Sequence, residues 1–522
     1  MDRVIGIDLG TSNASVAAVK DGAPVVIPDD QGRILTPAVV SYPEDGEPIV
    51  GLDAKRRRLI DPARTVYGVK RLLGRDADDP VIKSLSHAVP YTLVPCPSGK
   101  VGVEIGENVY SPSEVASVLI THLKAQAEAF LGGPVSKAVI AVPACASDAQ
   151  RLAFRLAAQM AGLDVLRIVS APAAATLLHA HGAGLQQRVA VYAFGGGCFD
   201  AAVLDVRDHV VQVRAVAGDT MVGGDEFDRL LYEALRSRFL AEHGLDLATD
   251  VVATQRLLNA AENSKIHLSE NTSVEVRLRE MAYGDNGPLD LMAELTREEI
   301  TTAGQDVVRR TLALCDQALK SARTVVGDLD AVLLVGGATR VPLVAEAAAR
   351  YFKKAPLGVA QDDGAVALGA ALYARQLLDA ASPEEKPGSL ISDVLPSPWF
   401  VKAGGREERL FARNSPIPSE RRCVFTTSTD DQERLHVQLL QGEGTDGQRR
   451  ATGEFVVEGL RSSRRGEGRV EVSFEMDCDG VLNVSATDLA TGTRSSPVVR
   501  AGAESLEQDV VLLRLRRGEV RA

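Results

Sequence analysis

The stretch Val189 to Leu204, VAVYAFGGGCFDAAVL, sets three consecutive glycines between two apolar runs, which predicts a buried β-hairpin whose turn is almost bare backbone. Gly195, Gly196 and Gly197 carry no Cβ to block an anion, and consecutive N–H groups in a tight turn can point at one phosphate. A glycine turn by itself is also an ordinary loop. Val4 to Asn13, VIGIDLGTSN, repeats the design: an apolar strand holding Asp8, then Gly10, then Thr11, Ser12 and Asn13 where the chain must turn. Gly336-Gly337-Ala338-Thr339-Arg340 closes the apolar run Ala331 to Val335, at the carboxyl end of a strand, where open α/β sheets bind ligands. Two hairpins of one kind imply two related halves closing on a nucleotide. Cys198, directly after the glycines, is the one cysteine standing where chemistry is expected.

Such loops need strands and helices in alternation behind them, and the chain to about residue 380 supplies these, an α/β pattern. Ser111-Pro112-Ser113-Glu114 has the form of a capping box, and Val115, Val118, Leu119 and Leu123 then mark one apolar helix face. Lys137 to Pro143 reads as a buried strand, Asp148 to Gly162 as an Ala-rich helix, and Asp225 is placed to cap a helix running from Glu226. Ala381 to Pro398, rich in proline and charge, reads as a linker. Beyond it Val470, Val472, Phe474 and Met476 alternate with polar residues, Asp479-Gly480 supplies a turn, and Leu482, Val484 and Ala486 resume the alternation. That pattern, shared by Arg422 to Gln441, predicts a β-domain. Glu504 to Ala522 has room for one short helix.

The bulk properties narrow the partners. A net charge of −12 disfavours nonspecific nucleic-acid binding, and Arg56-Arg57-Arg58 reads as a solvated helix face. No apolar stretch reaches the length of a membrane span, and Met1-Asp2-Arg3 leads straight into a strand instead of a signal-peptide core, so the expectation is a cytoplasmic protein. Six cysteines without any CxxC pair indicate neither a zinc site nor a disulfide framework.

In order along the chain, IGIDLGTSN, VGLDAKRRRLIDPARTVYGVKRLLGR, GLDVLRIVSAPAAA, GDTMVGGDEFD, AENSKIHLS, VLLVGGATRVP, NSPIPSE, LLQGE and DCDGVLNVSATD resemble the motifs of the seventy-kilodalton heat-shock chaperone family of the DnaK type. The resemblance runs to about Ala503 and implies a two-lobed, actin-like α/β nucleotide-binding domain over residues 1–384, a linker over 385–398, and a β-sandwich over 399–503 that binds extended apolar peptides. The tail 504–522 leaves no length for the family's helical lid, so a lidless cleft that releases peptide quickly is expected. The implied cofactors are ATP or ADP with Mg²⁺. The implied partners are unfolded peptide segments, a J-domain co-chaperone and a nucleotide exchange factor, with no nucleic acid and no membrane.

Matched position by position, the resemblance gives Asp8 as a catalytic carboxylate that holds Mg²⁺ through water, Asp200 as a second one for the metal or the attacking water, Lys70 as the catalytic ammonium, and Gly10, Thr11, Ser12, Asn13 and Gly195 to Gly197 as phosphate loops. Glu262, Lys265, Ser269, Gly336, Gly337, Arg340 and Asp363 fall on the adenosine contacts. Pro143, Arg151, Arg167 and Asp393 fall on coupling positions, with Arg167 facing the J-domain partner. Phe400, Ala403, Phe425, Ser428, Leu435 and Val437 fall on the peptide cleft, although each of the apolar ones is equally explained as sandwich core. Three positions depart: Ala171 replaces a Glu, Ala193 replaces an Asp, and Cys198 replaces a Thr, all on the γ-phosphate side. Binding is then expected to outlast hydrolysis, since lost positioned groups cost rate first. Cys198 is read as a size-matched replacement for threonine, with a nucleophilic or redox thiol as the alternative.

Two readings of function remain open: an ATP-driven chaperone with slow turnover, or a nucleotide-sensing protein that recognises one partner and scarcely hydrolyses ATP. A filament protein or sugar kinase on the same fold is disfavoured by the C-terminal β-domain.

Overall fold

A computed structural model describes residues 3–207, 210–285, 287–357, 363–380, 390–444 and 449–495. The proposed tail helix and the first half of the proposed linker lie outside them.

Two six-stranded sheets carry the first part of the chain, and they share a plan. In the first, Val4–Leu9 pairs in parallel with Lys137–Val142 and antiparallel with Asn13–Lys20. In the second, Gln186–Phe194 pairs in parallel with Ala331–Val335 and antiparallel with Phe199–Arg207. Each sheet thus puts a glycine-containing hairpin turn at the carboxyl end of its central strand. The apolar runs that predicted these strands are buried because helices cover both faces. The helices Ala171–Ala180 and Ala365–Ala380 lie between the sheets with Val189, Val191, Leu333 and Ala370 in one core. Their approach is so close that a Cβ on Gly369 would sit 1.8 Å from the Ala174 carbonyl oxygen. Any side chain at Gly369 would force the two helices, and with them the lobes, apart.

Separate cores fill the two lobes. Ser111 caps the helix Pro112–Leu131 in a full capping box, and Val115, Leu119 and Leu123 bury its apolar face in the first core as the spacing predicts. Phe227, Leu231, Leu235 and Phe239 of the helix Gly224–His243 do the same in the second.

Residues 395–495 form a sandwich of two four-stranded sheets, one of Arg406–Phe411, Trp399–Ala403, Arg434–Gln441 and Arg450–Glu458, the other of Ser419–Thr426, Arg469–Met476, Leu482–Asp488 and Arg494–Ser495. Its core, built on Trp399, Val437, Phe455, Val472 and Phe474, is the inner face of the alternation seen in the sequence. Part of the predicted linker is itself a strand: Leu390–Val394 adds in parallel to the edge of the second sheet, opposite Val210 to Gln212, and pairs with Pro416–Ile417 of the sandwich. A strand joins the two architectures where the sequence shows only a proline-rich connection.

Candidate functional site at the meeting of the two lobes

Asp8 and Asp200 sit on the central hairpins of the two sheets, opposite Ser15 and Ala193 respectively. Lys70 reaches toward both from the short 3₁₀ turn Val69–Arg71, and it is itself buried, with Nζ 5.9 Å from the Phe154 ring centroid. Burial raises the carboxyls of Asp8 and Asp200 above the usual range, against the opposing pull of the Lys70 ammonium. One buried and one half-buried carboxylate facing one ammonium suit a hard divalent cation. Among the described residues no three His, Cys, Asp or Glu side chains are grouped to hold a metal. Mg²⁺ therefore fits here only with water and phosphate oxygens completing its shell.

The glycine turns touch one another. A Cβ on Gly196 would lie 1.9 Å from Ser12 Oγ, and one on Gly197 would lie 2.4 Å from Thr11 Cγ2. These glycines are thus required by loop-on-loop packing as well as by any phosphate. Asp225 does not cap its helix, which starts at Gly224 with Gly223 at the N-cap. It stands in the first turn, where Arg71 captures it at 2.9 Å and also donates to the Gly197 carbonyl at 3.1 Å.

Between the lobes lies a cavity of about 780 Å³, lined by Thr11, Ser12, Tyr67, Arg71, Asp225 and Glu262 among others. Side chains from opposite lobes bridge it. Lys55 donates to Glu262 at 2.7 Å and, against burial, holds that carboxyl below its usual range. Arg58 stacks 3.8 Å over Tyr67 and donates to Gln255 at 2.8 Å, so this arginine is a bridge across the cleft and not part of a solvated face. Of the predicted adenosine contacts only Glu262 lines this cavity. Lys265 pairs with Asp228 at 2.8 Å, Ser269 Oγ donates to the Lys265 carbonyl at 3.1 Å, and Arg340 pairs with Asp363 at 2.6 Å beside the Gly336-Gly337 turn.

Ala171 opens the helix Ala171–Ala180, and Ala193 faces Asp200 across the hairpin; both pack against the apolar core between the sheets. Burial pushes the Cys198 thiol up to about 11 although Lys70 pulls it down. That removes support from the nucleophilic or redox alternative. Cys198 should therefore label with iodoacetamide at pH 7 at least a hundredfold more slowly than a free thiol, on the order of its lost thiolate fraction. Mass spectrometry of the labelled peptide checks this, and fast labelling would revive the reactive-thiol reading. Cys145, which the sequence did not single out, donates its backbone N–H to Asp200 Oδ1 at 3.2 Å and its thiol to the same carboxylate.

A family model for Hsp70 protein matches residues 4–515. The chain belongs to the Hsp70 family. Proteins of this family are ATP-dependent chaperones that bind ATP or ADP with Mg²⁺ and engage unfolded peptides and co-chaperones. Among the described residues no helix is long and apolar enough to cross a membrane.

In this Hsp70 the sandwich is seated on both lobes. Asp479, in the turn between Arg469–Met476 and Leu482–Asp488, accepts from the Ile168 N–H at 2.9 Å and pairs with Arg155, while its carbonyl accepts from Arg151 at 3.2 Å. Asn414 Oδ1 accepts from the Val216 N–H at 3.0 Å on the second lobe, and Arg450 pairs with Asp76 on the first. Of the predicted coupling residues, Arg151 is in this interface, and Pro143 ends the strand behind it, its carbonyl accepting from the Ala146 N–H at 3.1 Å. Arg167 donates to the Leu166 carbonyl at 3.0 Å and interacts with Tyr373. Asp393 is buried, with Oδ2 lacking a hydrogen-bond partner among the described residues. Asp479 is the main interface residue the sequence reading missed, since a turn aspartate before glycine is explained locally.

Asp148 faces the same turn. It receives the Leu482 N–H, one of its oxygens is buried without a partner, and burial with the neighbouring Asp477 carboxylate pushes it up to about 7 despite Arg151. The docked state thus holds a proton that an undocked Asp148 releases. Docking gains from this proton fully at a pH below the ordinary carboxyl range and loses the gain as pH rises toward about 7. A dye pair across the two halves should report weaker docking with rising pH, and Asp148→Asn should flatten the dependence; an unchanged slope would exclude Asp148 as its source.

Within the sandwich, Ala403, Phe425, Leu435 and Val437 come together on the core side. Phe400 does not join them. Trp399 and Val401 fill the core, so strand alternation turns Phe400 to the opposite face, where Arg449 stacks 3.5 Å from its ring centroid and pairs with Glu407. Ser428 is exposed and tied to its own loop, its N–H and Oγ donating to Gln432 Oε1 at 2.7 and 3.0 Å.

Proposed function

We propose that this Hsp70 binds ATP between its lobes, hydrolyses it slowly, and uses the bound nucleotide to set how firmly the sandwich docks and holds an extended apolar peptide. The observation that carries the reading is the convergence of half-buried Asp8 with buried Asp200 and Lys70 at the point where the two hairpin turns meet. Asp8 and Asp200 would face Mg²⁺, which neutralises phosphate charge when bound. Thr11 and Ser12 donate hydroxyls to phosphate oxygens, and Lys70 offsets charge developing on the transferred group. Slow turnover follows from Ala171 and Ala193, which can neither orient water nor accept its proton, and from Cys198, whose thiol is a weaker donor than a hydroxyl. Glu262, Lys265, Ser269 and the Gly336–Arg340 turn would take the adenosine, and Ala403, Phe425, Leu435 and Val437 would underlie the peptide site.

A second reading, a nucleotide-sensing protein devoted to one partner, is favoured by the same three departures. Single-turnover hydrolysis of prebound ATP separates the two. Slow hydrolysis abolished by Lys70→Ala supports the chaperone cycle, tight ATP binding with no hydrolysis supports the sensor, and absence of ATP binding overturns both.

A further inference from the structure

A second cavity, of about 270 Å³, opens where both lobes and the sandwich converge. The first lobe contributes Arg75, Cys145, Ser147 and Gln150, the second Gly218, Asp219 and Thr220, and the sandwich Arg450. Its wall toward the nucleotide site is thin: Cys145 bonds to Asp200, and a Cβ on Gly218 would lie 2.6 Å from Asp200 Oδ1 and 3.1 Å from Cys145 Sγ.

The lining is rich in unused donors. Ser147 Oγ accepts from the Gln150 N–H and Gln150 Oε1 accepts from the Ser147 N–H, which leaves the hydroxyl hydrogen and the amide NH₂ without partners among the described residues. Thr220 Oγ1 accepts from Arg75 at 2.9 Å, leaving its own hydrogen free. Arg450 spends one nitrogen on Asp76, and among the described residues its other side-chain donors have no partner. The single carboxylate is Asp219, whose Oδ1 accepts from the Met221 N–H at 2.7 Å and whose other oxygen is open. Four donor groups around one spare acceptor match an oxyanion that still bears a hydrogen: the anion's oxygens accept from the donors and its own O–H donates to Asp219.

We propose that this cavity binds orthophosphate, with Arg450 of the docked sandwich completing the site. Sulfate has the same shape but no hydrogen at neutral pH, so Asp219 repels it; the site selects phosphate over sulfate. Its use as a station for phosphate leaving the nucleotide rests on the ATP reading above, whereas the binding itself does not.

The test is equilibrium dialysis of radiolabelled orthophosphate against the full chain, nucleotide-free and saturated with the non-hydrolysable analogue AMP-PNP. One phosphate should bind per chain in both forms and in Lys70→Ala. Arg450→Ala should weaken it at least tenfold, and Asp219→Asn should let sulfate compete severalfold better. Asp219→Asn lies in the nucleotide lobes and keeps the test valid if Arg450→Ala disturbs docking. Phosphate binding that vanishes with AMP-PNP or in Lys70→Ala would place the anion in the nucleotide site and overturn the proposal. So would indifference to both cavity substitutions. The nucleotide-free arm decides the matter alone should AMP-PNP fail to bind, a failure that counts against the ATP reading only.

Discussion

Restoring the three γ-phosphate-side groups together, as Ala171→Glu, Ala193→Asp and Cys198→Thr, should raise single-turnover ATP hydrolysis by roughly a hundredfold or more. One positioned polar group is typically worth about ten- to a thousandfold in rate, and groups that act as a unit contribute less than the product of their separate effects. The restored protein should also show a cost that identifies the site. Ala193 is half-buried and faces Asp200 across the hairpin, so a carboxylate at 193 is set beside buried Asp200, with Lys70 to offset both and Asp8. The variant should melt lower than the natural protein without metal and recover when Mg²⁺ and ADP are added, because a ligand bound only by the native state stabilises it. Calorimetry with and without Mg²⁺ reads that difference. A natural protein that already hydrolyses ATP as fast as the restored one would show that the three departures are not what sets the rate.

The strands and turns of this site were legible because they obey local rules. Alternation and glycine punctuation predict the Gln186–Phe194 and Phe199–Arg207 hairpin to within a few residues, and the capping box predicts the start of Pro112–Leu131. What stayed hidden was set by contacts distant in sequence. Asp225 looks like a helix cap until Arg71, brought from the other lobe, claims it. Arg58 looks solvated until the cleft closes it onto Tyr67 and Gln255. Phe400 looks like a pocket residue until Trp399, its neighbour, takes the core and fixes which face Phe400 must occupy. Cys145 carries no local signature, and that of Asp479 is only a turn before glycine; the contacts they make across elements exist only in the assembled fold.

Asp479→Ala should shift the docking equilibrium of the sandwich by about a hundredfold toward the undocked form. Asp479 is 5% exposed and serves three acceptors' worth of bonding, to the Ile168 N–H, to Arg155 and, through its carbonyl, to Arg151. Removing the carboxylate leaves the Ile168 N–H without its acceptor and the half-buried Arg155 guanidinium without its counter-charge, holding among the described residues only the Val165 carbonyl at 3.5 Å. Breaking a buried pair in this way costs on the order of 3 kcal/mol, or about a hundredfold, more than the pair itself contributes. The other ion pair across the interface is different in kind. Arg450 and Asp76 are 38% and 33% exposed, and Asp76 keeps Lys100 at 2.7 Å when Arg450 is lost. Arg450→Ala should thus change docking only a few-fold, within the range of surface pairs. A dye pair across the two halves, read in both variants, checks the ranking. Equal effects would mean that docking is held by diffuse complementarity, and a null effect of Asp479→Ala would mean that the remaining contacts, the strand Leu390–Val394 and Asn414 among them, keep the sandwich in place.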